Sequence, residues 1–418
     1  MVSTFLSFGA LFTSALLFIM GGGVMNTQLS LRMAQAGFST LAIGMTMACY
    51  FIGLVSGYFL CRRLIHRVGH IRSFAVFAAA TTVIIILHGF YISAILWAIL
   101  RFLNGVTVFG LFMIVESWLN ECSQPETRGR VFSIYMTLTY MGIGIGQQFL
   151  NFGNAGGQNV FFIAALLFSL SLIPVAVTRA VHPELPESER YTLKALFKKA
   201  PVGMSGCFAA GLINSAFFSM APVFGTKIGF SVFQLSWFMS ITVFGGFTVQ
   251  WIIGIVSDRY DRTRILFIIA GLIALYSLVI AINTEASYVR LLIEMGIFGG
   301  FLFAIYPVSV ARTHDVFEAK DAVVVSSALL LCYSIGAIFG PILASAVMTI
   351  LNNPFGLYVY WSLVAGVFAV VTIYLKHKER ISIIPVDEQV NFIAMKNTSS
   401  VALVLDPRAE VEEEQRPS

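Results

Sequence analysis

Charge is scarce in this chain. Of 418 residues only 11% are Asp, Glu, Lys or Arg, against roughly 25% in soluble domains. A deficit of that size, spread over the whole length, argues against a water-soluble protein. Cysteine is sparse too. The five residues Cys49, Cys61, Cys122, Cys207 and Cys332 show no C-x-x-C spacing, so neither a disulfide framework nor a metal site is expected. Three of them fall inside apolar runs, where a thiol packs as a small hydrophobe. No G-x-x-x-x-G-K-[ST] loop occurs, which argues against ATP hydrolysis by this chain. The water-facing stretches offer no nucleophile–base pair. Catalysis, cofactors, nucleotides and nucleic acid are therefore not expected.

Hydrophobic residues make up 58% of the chain, and they are gathered into runs. At roughly 20 apolar residues per crossing, twelve membrane spans can be counted, centred near Ala15, Tyr50, Thr82, Phe109, Gly142, Leu167, Ala210, Gly245, Leu272, Leu302, Ile338 and Val367. The first run lacks a basic leader and a small-residue cleavage site, so it reads as a retained span. The expected fold is all-α and polytopic. A bundle of six helices over 1–178 is joined by a central loop, 179–200, to a second bundle over 201–376. The central loop mixes charges with Pro183 and Pro186 and includes one amphipathic stretch. The polar tail, 377–418, is expected to be disordered and without a role in transport.

The net charge of +5 is best read as topology. With the N-terminus inside, 22 of the 26 Lys and Arg fall in inner loops and the tail. Only Arg32, Lys227 and Arg290 lie outside, and Arg101 lies within a span. The positive-inside rule then places both termini in the cytoplasm, and a bacterial inner membrane is the expected location.

The two bundles repeat one another. Gly37-Phe38-Ser39 recurs as Gly229-Phe230-Ser231, an offset of 192, and Arg67 and Arg72 meet Arg259 and Arg264 at the same offset. Ser133 to Gly142 and Gly146 align with Ser327 to Gly336 and Gly340 at an offset of 194. Nearly equal offsets in separate segments indicate a duplicated unit.

Between spans 8 and 9 stands Gly254-Ile-Val-Ser-Asp258-Arg259-Tyr-Asp-Arg262-Thr-Arg264. Small residues there let helices approach, and Asp258 with Arg259, Arg262 and Arg264 can tie helix ends by charge-assisted hydrogen bonds. This G-x-x-S-D-R-x-x-R-x-R pattern, in a chain of two six-span halves, resembles the major facilitator superfamily. Within it, Val115-Glu116-Ser117-Trp118-Leu119-Asn120 followed by Arg128-Gly129-Arg130 is similar to the YcaD-type permeases. The first-half turn departs from the pattern: His66 stands where the family has Asp, and Arg62 where it has Gly. Glu116 or Glu121 is therefore the expected partner of Arg67 at the inner gate. Glu121 with Arg128-Gly129 also resembles a sugar-porter motif.

The resemblance implies that spans 5 and 11 meet spans 8 and 2 across the interface between halves. Gly142 and Gly146, and Gly336 and Gly340 with Pro341, are then expected as bearing surfaces. It also implies that spans 1, 4, 7 and 10 line a central cavity. Charges at membrane depth are costly and usually functional. Arg101 and Glu294 each lie about seven residues into a span, roughly 10 Å along the helix. Both are expected to face the cavity, with Glu294 as a proton-titratable site. Arg101-Phe-Leu-Asn-Gly105 also resembles the family's R-x-x-x-G motif. Asn26, Gln28, Tyr140, Asn214, Gln250 and Tyr306 are expected to add hydrogen-bonding groups.

The implied function is secondary active transport of a small organic solute by a monomer in the lipid bilayer, coupled to protons and working by alternating access. A proton-antiport multidrug or siderophore exporter, a sugar or metabolite importer and a non-transporting receptor or scaffold stand as alternatives.

Overall fold

A computed structural model describes residues 2–124, 127–153, 157–177, 193–285, 287–317, 321–378, 389–396 and 398–399. Helices α1 (Val2–Gln35), α2 (Thr40–Val68), α3 (His70–Phe90), α4 (Ala94–Cys122), α5 (Arg128–Gly146) and α6 (Asn159–Val177) are spans 1–6. A 3-10 segment, Gln147–Phe152, prolongs α5. The short α7 (Leu193–Lys199) is the amphipathic piece of the central loop, with Leu196 buried and its lysines exposed. Spans 7–12 are α8 (Pro201–Lys227), α9 (Val232–Ser257), α10 (Arg262–Ile282), α11 (Tyr288–His314), α12 (Ala322–Ile350) and α13 (Gly356–Lys378). Among the described residues, eleven helices are long and apolar enough to cross a membrane. The twelfth span, α5, is 19 residues long and opens on Arg128 and Arg130.

The repeated Gly-Phe-Ser has a local cause. Gly37 and Gly229 take φ of 79° and 86°, the left-handed turn that ends a helix where a Cβ would be strained. The next residue closes the turn backwards: Phe38 N–H bonds the Met33 carbonyl at 3.1 Å, and Phe230 N–H the Gly225 carbonyl at 2.9 Å. Ser39 and Ser231 then cap the following helices by accepting from the Ala42 and Gln234 amides. One tripeptide therefore ends one helix and starts the next.

The same repeat sets the helix crossings. Gly53 of α2 meets Gly105 of α4 with no room for a Cβ on either, and Gly245 of α9 lies against the Gly296 backbone of α11 with no room for its own. Backbones in contact gain dispersion that lipid cannot replace.

The halves meet through α2 with α12 and through α5 with α9, the helix pairs expected. The bearing residues differ from expectation. Gly142 and Gly146 pack on Ile19 and Met20 of α1, within their own half. Gly336 and Gly340 pack on Phe208, Leu212 and Ser215 of α8, also within their own half. Gly44 against Ser345 and the Pro341 carbonyl, and Gly144 against Phe244, are the glycines between halves. A helix presents a new face every residue, so a neighbouring glycine points to a different partner.

Candidate functional site: a cavity walled by both halves

For orientation, the end of the bundle carrying the 2–3, 4–5, 8–9 and 10–11 turns is called the basic end. A cavity of about 110 Å³ lies between the halves, nearer the opposite end. Asn26, Tyr50, Arg101 and Thr139 line it from the first half, Phe218 and Tyr333 from the second, and Lys396 from the tail.

Arg101 dominates its chemistry. Its side chain is 1% exposed, and its guanidinium stacks 4.3 Å from the centre of the Tyr50 ring. The Gly53–Gly105 crossing brings α2 close enough for that contact. Nη1 reaches Asn104 Oδ1 at 3.4 Å, while Nε has no partner. A cation over an aromatic face recovers about 0.5–2 kcal/mol, well short of the cost of desolvating a charge. The site is thus electropositive with an open donor, ready for an anionic group.

The remaining sequence-derived residues divide. Asn26 lines the cavity. Tyr140 and Gln250 lie next to it on opposite halves. Tyr306 is one layer out, its ring 5.1 Å from that of Tyr333. Asn214 is buried, with Oδ1 unpartnered. Gln28 belongs elsewhere: its amide donates to the Gly157 carbonyl at 3.4 Å and fastens the loop before α6. Glu294 also departs from expectation. It is paired with Arg290 at 2.7 Å, one helical turn away, and does not line the cavity. Position 294 shares a helix face with 290, and that face is turned away from Arg101.

The opposite end is shut. The Gln148 amide donates to Ser240 Oγ at 2.6 Å, the Asn151 amide to Ser236 Oγ at 2.9 Å, and Ser240 Oγ to the Gly144 carbonyl at 2.7 Å. All three bonds cross between halves. Neutral amides with hydroxyls are missed by a search for charge, although Gln147-Gln148 after an apolar span was the available signal.

At the basic end the 8–9 turn works as its sequence suggests. Arg262 is fully buried, bonded to Asp258 at 2.7 Å and to Asp315 at the end of α11. Asp261 caps α10 and receives Lys376 of α13 at 2.6 Å. Burial alone would raise the Asp261 pKa, but the bonds from Lys376 and Thr263 and the charges of Lys376 and Arg312 outweigh it and hold it below the usual value. Arg259 is exposed and Arg128 half-buried. The first-half turn is built differently. The repeat partner of Arg262 is His70, which bonds Ser117 at 3.2 Å. Arg67 is exposed at the end of α2. Glu116, its expected partner, is instead fully buried and accepts from Tyr135 Oη at 2.8 Å and from Ser399. Glu121 is exposed.

The tail supplies what the sequence reading missed. Residues 389–396 and 398–399 have no regular secondary structure and lie between the halves, with the Met395 carbonyl accepting from Tyr140 of one half and Gln250 of the other. The expectation of a disordered tail does not hold for this stretch. The Val390 amide donates to Asp315 at 3.1 Å and its carbonyl accepts from Arg262; the Phe392 amide donates to Asp258 at 2.8 Å. The Phe392 ring fills the space left by the absent side chain of Gly254. Lys396, its remaining exposed surface facing the cavity, stacks 4.8 Å from the Phe218 ring.

Comparison with known proteins agrees with this architecture. Residues 11–303 match the model of the Major Facilitator Superfamily. The chain is 28% identical over 339 residues to the uncharacterized MFS-type transporter YcaD of Salmonella typhimurium, covering 80% of this chain and 86% of that one. Among solved structures it resembles the nucleoside transporter NupG, with a TM-score of 0.72 at 16% identity over 90% of this chain and 100% of that chain. It also resembles the D-xylose-proton symporter, with a TM-score of 0.66 at 14% identity over 92% and 99%. A fold of two six-helix halves around a shared cavity, with a family match spanning more than half its length, makes this chain a member of the Major Facilitator Superfamily.

Proposed function

We propose that the chain is a monomeric secondary active transporter of a small organic solute bearing an anionic group, driven by protons and working by alternating access. One observation carries the reading: the cavity is walled by both halves and shut at one end by hydrogen bonds that all cross between them. Rocking the halves breaks those bonds and opens the cavity to the other side. The basic end is the cytoplasmic one by the distribution of Lys and Arg, so both termini lie in the cytoplasm of a bacterial inner membrane.

Arg101 supports the solute class. A buried guanidinium with an unpartnered Nε fits a carboxylate or similar anion. The walls Phe18, Phe51, Phe112 and Phe218 suit the solute's apolar part. Glu116 replaces Glu294 as the proton-carrying group, because it is the buried carboxylate on the helix that bears Arg101. Likeness in fold to the D-xylose-proton symporter lends support to coupling. The same aromatic walls favour a second reading, proton-antiport export of amphipathic drugs.

The test is a stabilisation screen of purified protein against organic acids, neutral metabolites and drugs, followed by flux of the hits in proteoliposomes under an imposed pH gradient. Organic acids should stabilise and move with the gradient. Flux of neutral solutes alone would remove the anion assignment, and absence of flux for every stabilising solute would remove transport.

A further inference from the structure

We propose that the space between the halves is a binding site for a peptide, and that its occupant is the chain's own tail, residues 389–396 and 398–399, which stops the cavity from the basic end. This rests on the transport reading only for its consequence, since the site itself is defined by contacts.

The path of the segment carries the inference. It runs up the second half, where Arg262, Asp258 and Asp315 hold the backbone of Val390 and Phe392. It is deepest at Met395, whose carbonyl accepts from Tyr140 Oη and the Gln250 amide, each at 3.4 Å. It then runs down the first half, where the Lys396 amide lies 3.3 Å from Met136 Sδ and Ser399 donates to Glu116. Both halves thus grip one strand of chain, and mostly by its backbone. Main-chain hydrogen bonds to fixed side chains give a bound peptide its affinity, and side-chain pockets its specificity. The side chains complete the fit: Met395 is 2% exposed, and Phe392 lies on Gly254, where a larger residue would collide with it.

The consequence follows from volume. With the segment in place the cavity measures about 110 Å³, whereas pockets for organic ligands run to roughly 300–1,000 Å³. Solute and segment compete for the same space. The segment also bridges the halves at the end where they must separate and close. Because it is tethered, its effective concentration is in the millimolar range, and modest affinity is enough to keep the site filled.

The experiment uses a chain whose five native cysteines are replaced and in which Thr139→Cys reports on the cavity wall. Inside-out vesicles are treated with a cationic, membrane-impermeant thiosulfonate. Deleting residues 389–418 should speed labelling by at least ~10-fold, the change expected when a dominant closed population is lost. A synthetic peptide of residues 389–399 added to the shortened chain should slow it again, and the same peptide with Phe392→Asp should not. Equal labelling with and without the segment would overturn the proposal, as would equal protection by both peptides. Hydrogen exchange on the unmodified full-length protein guards against a misfolded deletion. The Val390 and Phe392 amides should be protected, and exchange at free-peptide rates would also overturn it. Neither readout needs a transported solute, so the stopper and the transport reading can fail separately.

Discussion

Tyr140 and Gln250, on α5 of one half and α9 of the other, both donate to a single carbonyl oxygen, that of Met395, each at 3.4 Å. Residues expected to contact a solute are therefore occupied by the protein's own chain. Removing either donor should loosen the stopper without touching Arg101. Tyr140→Phe and Gln250→Leu should each raise labelling of the cavity from the basic end by about 5–10-fold, the equivalent of one hydrogen bond of ~1 kcal/mol. The thiosulfonate assay checks this.

Lys396 makes the stopper sensitive to pH. Burial pulls its pKa down from 10.5 to about 7. The charged form is disfavoured in the docked state, so docking between pH 7 and 10.5 releases a proton. Docking should strengthen about tenfold per unit as pH rises from 7 toward 10.5 and be weakest and constant below 7. The other titratable groups lining the cavity are Arg101 on α4, Tyr50 on α2 and Tyr333 on α12. Lys396→Met should therefore abolish the dependence if the lysine causes it. Labelling rates between pH 6.5 and 8.5, each divided by that of the shortened chain, measure it.

Arg101→Gln should keep the fold and lose the solute. A charge-assisted bond contributes about 1.5–3 kcal/mol, so affinity for any organic acid found in the screen should fall roughly 10–100-fold. Glu294→Gln is the control. It pairs with Arg290 and lies off the cavity, so its substitution should change neither affinity nor the pH profile. Isothermal titration of both variants separates them.

Arg262 holds two carboxylates and the tail at once. Arg262→Met breaks the buried pair with Asp315 from one side, a loss of about 3–5 kcal/mol. Thermal unfolding in detergent should show a clear drop, and restoring neutrality with Asp315→Asn in the same chain should recover part of it.

The interface glycines differ from the packing glycines in what they control. Gly44→Val would drive a side chain into Ser345 and Pro341 of the other half, so it should hold the opposite end open while unfolding changes little. Gly340→Val would collide with Leu212 and Ser215 in its own half and should destabilise the protein. Cysteine accessibility at Asn151, read with melting curves, distinguishes the two.

What the sequence made legible was whatever depends on local rules or on cost. Gly37-Phe-Ser and Gly229-Phe-Ser could be matched because one turn chemistry serves both halves, and Arg101 stood out because a charge at membrane depth needs a reason. Facing was harder. Hydropathy gives the depth of Glu294 but not its azimuth, and its pairing with Arg290 at i,i+4 was the better guide. Gly142 and Gly146 lie on the expected helix but face α1 of their own half. The tail's polar average composition hides the apolar residues Val390, Phe392, Ile393 and Met395 within it.

Alternating access is tested most directly by two distances measured in one protein. Spin labels at the exposed Arg130 and Arg259 span the halves at the basic end, and labels at the exposed Phe152 and Phe233 span them at the opposite end. Adding a stabilising organic acid to the shortened chain should bring the first pair closer and move the second pair apart. Distances that change together, or that stay fixed while the ligand is bound, would contradict two halves rocking about a shared cavity.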